Sequence, residues 1–370
     1  MEFLIPLFSP YIPPEAGEAV KQVIESGWIN TGSKEKLFRE RLQEKFGFPY
    51  CVATNNCTAS LRASLAVIGV TRGDEVITTP WTMIATNTVI LEQGATPVFS
   101  DIEYDTLNID PESVVHKITD KTKAIMCVHY AGAPSRLDAL RKIGKEYNLV
   151  VVEDAAQALG AKHNGEYVGS SGKLVNFSFQ AIKTITSGDG GAIATDCEEL
   201  YEKLQTLIWF GIDKTKREKT PLGTLPYDVN VLGFKYNMND ISAAMGLVGL
   251  NHFDEALQKR RDVARHYREE LQNLNDVTLM NYPKNIDPAY WMFPIHVKHR
   301  LRFAEYMRRN GVEVSVHYPR NDGYTIFGGK QDLPVTERVD SDIIHIPIHS
   351  NLSEAQVAQV IDTVRRWHGY

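Results

Sequence analysis

Lys183 ends the run Asn176-Phe177-Ser178-Phe179-Gln180-Ala181-Ile182-Lys183, and the glycine-rich stretch Gly188-Asp189-Gly190-Gly191 follows closely. A lysine after an apolar run has no simple packing rationale. Desolvation and cationic neighbours would lower its pKa and make it an amine nucleophile. The glycines would let the backbone approach a ligand closely. A lysine snorkelling beside a hairpin turn fits the segment equally well. Asp154 ends a second apolar run, Val150-Val151-Val152-Glu153-Asp154. A carboxylate there is costly unless it meets a cation or a donor. It suits a partner for a protonated ring nitrogen, although Asp at such a place more often caps a helix. The third stretch is Asn55-Asn56-Cys57-Thr58-Ala59-Ser60. The N–H groups of a helix start attract phosphate, and Thr58 adds a hydroxyl. An ordinary polar N-cap is the commoner use of such a segment.

These side chains need a frame. Short apolar runs read as strands at Tyr50–Thr54, Glu75–Thr79, Thr96–Ser100, Ala124–Val128 and Val150–Val152. Amphipathic stretches with helical spacing separate or precede them: Glu15–Glu25, Lys34–Phe46, Ala59–Ile68 and Pro134–Tyr147. Strands alternating with helices predict a parallel α/β sheet with helices on both faces. In such sheets ligands bind beyond the carboxyl ends of the strands, where the three stretches fall. A long charged helix (Asn251–Leu274) then leads to strands near Trp291–Val297 and Val312–Val316 and a last helix, Ser353–Trp367. The expected organisation is a large domain over residues 1–250 and a smaller α/β domain over 251–370.

The 370 residues, 43% hydrophobic and 23% charged, can bury a core without disulfides or a structural metal. A net charge of −6 argues against a general nucleic-acid-binding surface. The four cysteines have neither C-x-x-C nor zinc-site spacing, as expected of reduced thiols. No basic segment followed by an apolar run opens the chain, and no stretch approaches the roughly 20 apolar residues of a spanning helix. A soluble cytoplasmic protein is expected.

The combination is more specific than its parts. A strand-end aspartate, a lysine 29 residues later, a serine five before that lysine and an early phosphate-type helix start fit Schiff-base capture of pyridoxal phosphate (PLP). The lysine would supply the imine. Asp154 would keep the pyridine nitrogen protonated, so that the ring serves as an electron sink. Ser178 and the helix start would take the phosphate. With Ser26-Gly27-Trp28-Ile29-Asn30-Thr31-Gly32, Gly73-Asp74-Glu75-Val76-Ile77, Val128-His129-Tyr130-Ala131-Gly132, Glu153-Asp154-Ala155-Ala156-Gln157 and Gly233-Phe234-Lys235-Tyr236-Asn237-Met238-Asn239-Asp240, the chain resembles the sugar-nucleotide aminotransferases of the aspartate-aminotransferase superfamily. The likeness is strongest to enzymes that aminate C4 of a nucleotide-linked 4-keto sugar, such as the aminoarabinose- and perosamine-forming ones.

The resemblance implies a fold-type I, three-layer α/β sandwich. Lys183 matches the Schiff-base lysine, Asp154 the pyridine-nitrogen partner, and Gln157 the residue near the ring hydroxyl. Ser178, Thr58 and the amide around Cys57 match the phosphate cup. Asn237 matches an asparagine reaching the phosphate from a neighbouring subunit, which implies a homodimer with shared active sites. The donor implied is an amino acid, glutamate, and the acceptor a nucleotide-linked keto-deoxysugar for surface-polysaccharide or related biosynthesis. Family members that deoxygenate C3 carry histidine where Lys183 stands, which weighs against a sugar dehydratase. A non-catalytic PLP-binding regulator would show a damaged set, whereas Asp154, Gln157, Ser178 and Lys183 are all present.

There are departures. Met83 stands where an aromatic usually stacks on the cofactor, with Trp81 two residues away, and Gln180 stands where histidine or tyrosine is frequent. Thr31, in the loop at 30–33, Lys214, in a basic run, and His317-Tyr318, after an expected strand, are candidates for the sugar-nucleotide site. A solvated loop and a core histidine are the plain readings of the last two. Trp291 is expected to be packing, and His163 and His345 structural.

Overall fold

The computed structural model describes residues 5–213 and 219–367. Two helices, α1 (Ala16–Glu25) and α2 (Ser33–Phe46), precede β1 (Tyr50–Thr54), α3 (Cys57–Val67), β2 (Glu75–Thr78), α4 (Ile84–Glu92), β3 (Thr96–Phe99), α5 (Pro111–Lys117), β4 (Thr122–Val128), α6 (Leu137–Glu146) and β5 (Val150–Asp154). A short hairpin, β6 (Lys162–His163) and β7 (Glu166–Tyr167), leads to β8 (Leu174–Ser178), β9 (Gly191–Thr195) and α7 (Glu198–Leu207). The central sheet has seven strands in the order β1-β9-β8-β5-β4-β2-β3. Only β9 runs antiparallel, to both β8 and β1. All five residues of β8 and β9 are buried, as expected of strands covered on both faces. One core lies on the side of α2, built on Phe38, Phe46, Phe177 and Phe179. A second lies on the side of α3 and α7, built on Leu61, Leu65, Val76 and Ile193.

The later chain adds α8 (Asp240–Asn251), α9 (Phe253–Leu271), β10 (Val277–Leu279), β11 (Ile286–Asp287), β12 (Phe293–Val297), α10 (Arg300–Arg309), α11 (Pro334–Asp342), β13 (Ile343–Ile346) and α12 (Glu354–Arg365). An antiparallel sheet, β10-β12-β13, carries its own apolar cluster with α9 and α12. β11 pairs with β6, so one pairing ties the later chain back to the earlier part.

Several expectations shift. Val312–Val316 is not a strand: Val312 bridges Ile5 and Ser315 bridges His345, each in isolation. The third strand of the sheet with β10 and β12 is β13, beside β12, which periodicity does not single out. The long helix expected over Asn251–Leu274 runs Phe253–Leu271, because His252, at φ −100° and ψ 6°, separates it from α8. α6 starts at Leu137 rather than Pro134, because Ser135 Oγ donates back to Val128 O at 2.9 Å and Arg136 has a non-helical ψ of 71°.

Candidate active site

The three stretches that suggested chemistry meet at the carboxyl end of the central sheet. β8 ends at Ser178, and the chain turns through Gln180, whose carbonyl accepts from Lys183 N–H at 2.9 Å. The turn delivers the Lys183 ammonium onto the face of Trp291, 3.7 Å from the ring centroid. Trp291 is held in turn: its Nε1 donates to Ile182 O at 3.1 Å, and Phe8 stacks on it at 5.3 Å. Burial pulls the Lys183 pKa down to about 8, against the upward pull of Asp154 and Cys57.

Asp154 sits one strand away, at the end of β5, and is buried. Its Oδ2 accepts from Thr86 Oγ1 at 2.7 Å and its Oδ1 from Ala156 N–H at 3.1 Å. Burial raises its pKa above the ordinary value even so, with Thr86, Ala156 and Lys183 pulling the other way. The site therefore favours a cation beside this carboxylate. The preceding Glu153 is buried on the opposite side of the strand. Burial pushes its carboxyl up, but His129, at 3.1 Å, and Arg141, at 3.0 Å, outweigh that and hold it low. That network fixes the strand end.

Asn56 is the N-cap of α3, and its side chain accepts from Ala59 N–H at 2.8 Å. The N–H groups of Cys57 and Thr58 have no hydrogen-bond partner among the described residues. Two free amides at a helix start form an anion site. Ser178 lies across from them, paired with Gly191 in the β8–β9 ladder. A Cβ on Gly191 would meet the Asn56 carbonyl carbon and oxygen at 2.7 Å, so only glycine lets β9 lie this close to the cup.

Gln157 Oε1 accepts from Ala131 N–H at 2.7 Å, which leaves its NH2 as the free end. Met83 is 46% exposed, immediately before α4, while Trp81 is fully buried beside Tyr130 and Trp291. Trp81 is thus committed to packing, and Met83 has the freer side chain. Tyr318 packs on the same cluster, and burial raises its phenol with Asp154 adding to the shift. Burial lowers the His317 pKa, and Lys183 acts on it in the same direction, so this pair joins the group. Asn237 bridges Thr54, at the end of the strand that leads into α3, and Thr31 is bonded to it. The Asn237 amide donates to Thr31 Oγ1, which donates to Met238 O at 2.7 Å. They line a cleft of about 1000 Å³ with Arg39, Trp209 and Tyr227, and Lys183 is not in it. Lys214 lies outside the described residues. His345 is buried and bonded to Tyr130 and Ser315, and His163 to Asn164 and Asn285, consistent with structural roles.

A family of aminotransferases, DegT/DnrJ/EryC1/StrS, matches residues 10–365. This chain belongs to it. Among relatives of the DegT/DnrJ/EryC1/StrS family, an uncharacterised protein of Methanocaldococcus jannaschii is 36% identical over 99% of this chain and 98% of its own. The sugar aminotransferase CalS13 of Micromonospora echinospora superposes with a TM-score of 0.93 at 31% identity, covering 98% of this chain and all of its own. The Spr1654 protein of Streptococcus pneumoniae, assigned as a sugar aminotransferase, was solved in PLP and PMP forms. Each superposes with a TM-score of 0.90 at 29% identity, covering 98% of both chains. This member of the family is a fold-type I, PLP-dependent sugar aminotransferase.

The residues present fit that cofactor. A buried carboxylate that favours a cation, two free amides at a helix start and a lysine with a lowered pKa match a pyridinium, a phosphate and an aldehyde carbon in turn. Two positions of this family member escape sequence reasoning. Trp291 reads as packing but forms the platform of Lys183. Thr86 reads as one more polar residue of α4 but orients Asp154. Both contacts join residues far apart in sequence, so no local spacing announces them.

Proposed function

We propose that this aminotransferase moves an amino group from an amino acid, L-glutamate, to C4 of a nucleotide-linked keto-deoxysugar, with Lys183 as the residue that carries the cofactor. The observation that carries the reading is Lys183 itself: an amine of lowered pKa, seated on Trp291 and acted on by Asp154. The choices of C4, of glutamate and of deoxyaminosugar biosynthesis for surface polysaccharide rest on the sequence resemblance described above.

When bound, PLP supplies an electron sink for the charge left at the donor's α-carbon. The protein's part is positioning and proton movement. With the cofactor bound, Lys183 Nζ would be the base that takes the proton from the donor's α-carbon and the acid that gives one to the sugar's amine-bearing carbon. Asp154 holds a proton on the ring nitrogen, with Thr86 fixing its orientation. The Gln157 amide donates toward the ring hydroxyl. The Cys57 and Thr58 amides and the Ser178 hydroxyl bind the phosphate, and Met83 covers the ring. His317 and Tyr318 face the sugar.

We infer that two copies share each site, with Asn237 reaching the partner's phosphate cup. The exposed apolar side chains Leu222, Tyr227, Val229 and Leu232, of which Tyr227 lines the cleft of Thr31 and Asn237, support a covered surface. Thr31 and Lys214 then serve the nucleotide side. We take the larger domain to end near residue 250, where α8 gives way to α9, and the location to be cytoplasmic; among the described residues no helix is long and apolar enough to cross a membrane.

Lys183→Ala tests the reading. It should lose the visible absorbance of the lysine-linked cofactor and all amino transfer from glutamate. Full turnover in that variant would sink the proposal. A dehydratase would release the sugar's C3 hydroxyl as water with no amine gained, which mass analysis of the sugar product distinguishes.

A further inference from the structure

Arg260 lies in the middle of α9 and is 1% exposed. It has no carboxylate partner among the described residues. The contrast is Arg320, also buried, which meets Asp322 at 2.6 Å. Arg260 instead spends its guanidinium on two backbone carbonyls: Nη1 donates to Ile348 O at 3.0 Å and to Trp291 O at 3.3 Å. Its Nε is buried with no partner. A buried cation without an anion is costly, and a packed apolar side chain would fill the same space more cheaply. What the arginine reaches is therefore informative. Trp291 is pinned at its backbone N–H by Ala131 O at 2.9 Å, at its indole nitrogen by Ile182 O and at its carbonyl by Arg260. The same ring carries the Lys183 amine.

Resting on the reading of Lys183 given above, we propose that Arg260 is a positioning residue: it pins Trp291 from behind and so fixes the platform on which the reactive amine lies. A second consequence follows from its charge. Burial pulls the guanidinium down to about 10, which still leaves it cationic at neutral pH. A fixed cation in a dry interior disfavours a second one nearby, and Arg260 acts on Lys183 in that direction. The other groups acting on Lys183 are Asp154 from β5 and Cys57 from α3, and Lys183 in turn acts on His317, between α10 and α11. Asp154 and Cys57 pull the amine toward its charged form. Arg260 opposes them from α9.

The holoenzyme supplies the readout, because the absorbance of bound PLP depends on protonation of the nitrogen linking it to Lys183. Arg260→Met removes the charge and keeps most of the length. Its absorbance titration should move to higher pH by on the order of one unit. Arg260→Lys keeps the charge but is too short to put a donor where Nη1 meets both carbonyls. Its titration should stay near that of the unaltered protein, while the circular dichroism of the bound cofactor changes as the platform shifts. Arg261→Met is the control on the same helix. It loses contacts to Asp287 and Gly160 without touching Trp291, and both signals should stay put. A cofactor band of full strength whose titration ignores Arg260→Met overturns the inference. If that variant does not fold, unchanged circular dichroism in Arg260→Lys overturns it. A band surviving in Lys183→Ala would instead overturn the reading of Lys183.

Discussion

Lys183 and Asp154 are each shifted by burial, and in complementary senses. Burial lowers the lysine to about 8 and raises the aspartate, so each is nearer to neutral than an exposed residue would be. The lowered lysine predicts how the cofactor-free protein reloads. Only the unprotonated amine attacks the aldehyde of PLP. The rate of reloading should therefore climb as pH rises through about 8 and level off above it, well short of the 10.5 of an ordinary lysine. Stopped-flow absorbance checks this, and a rate still climbing at pH 10 would contradict the buried amine. Asp154 depends on Thr86 for one of its two donors. Thr86→Val keeps the shape and removes that donor, so the carboxylate loses stabilisation and its pKa rises further. The acid limb of the rate profile should move to higher pH, with kcat falling by about tenfold, the cost of one hydrogen bond to a charged group. An unmoved acid limb would mean that Thr86 merely packs.

At the scale of elements, the site is an arrangement of ends: β5 and β8 finish, and α3 begins, around one small volume. The closeness of β9 to the start of α3 holds that volume together. In Gly191→Ala the new methyl group would press on the backbone of Asn56, which cannot swing aside as a long side chain would. The variant should lose about 1–3 kcal/mol in denaturant unfolding, typical of overpacking. It should also release PLP faster on dialysis, because Asn56 caps the helix whose amides take the phosphate. These ends were legible in the sequence because buried parallel strands write apolar runs, and their last residues, Asp154 and Ser178, stand out against them. β1, an edge strand antiparallel to β9, is also found at the expected bounds, because Cys51–Thr54 are buried without interruption. The later chain was less legible. β13 reads Ile-Ile-His-Ile, and its histidine is buried against Tyr130 and Ser315 rather than marking an exposed face. Val312 and Val314 are buried where isolated bridges to Ile5 and His345 hold the segment, not in a strand of their own. Trp291 packs as expected, and the lysine on its face is what the spacing does not announce. A tryptophan that packs and a tryptophan that carries a lysine look identical until the lysine is placed.

On the scale of the whole molecule, Asn237 stands beside Thr54 of its own chain, whereas the resemblance assigns it to a partner's phosphate. Asn237 and Thr31 are bonded to each other and line a cleft that does not contain Lys183. If two copies share each site, as the resemblance implies, the chain that supplies Lys183 and the chain that supplies Asn237 are different molecules. That can be tested without a further structure. Lys183→Ala removes the chemistry from a chain's own site but leaves its Asn237 to serve the partner. Asn237→Asp places an anion against the partner's phosphate but leaves its own Lys183 intact. Each variant alone should be inactive or nearly so. When the two are unfolded together in equal amounts and refolded, half of the dimers formed at random are mixed, and one of the two sites in each mixed dimer is whole. About a quarter of the sites should then be active, as two-fold symmetry requires. A mixture no more active than the sum of its two components would show that Asn237 acts within its own chain or not at all. In that case the face lined by Thr31 and Asn237 would need a different occupant.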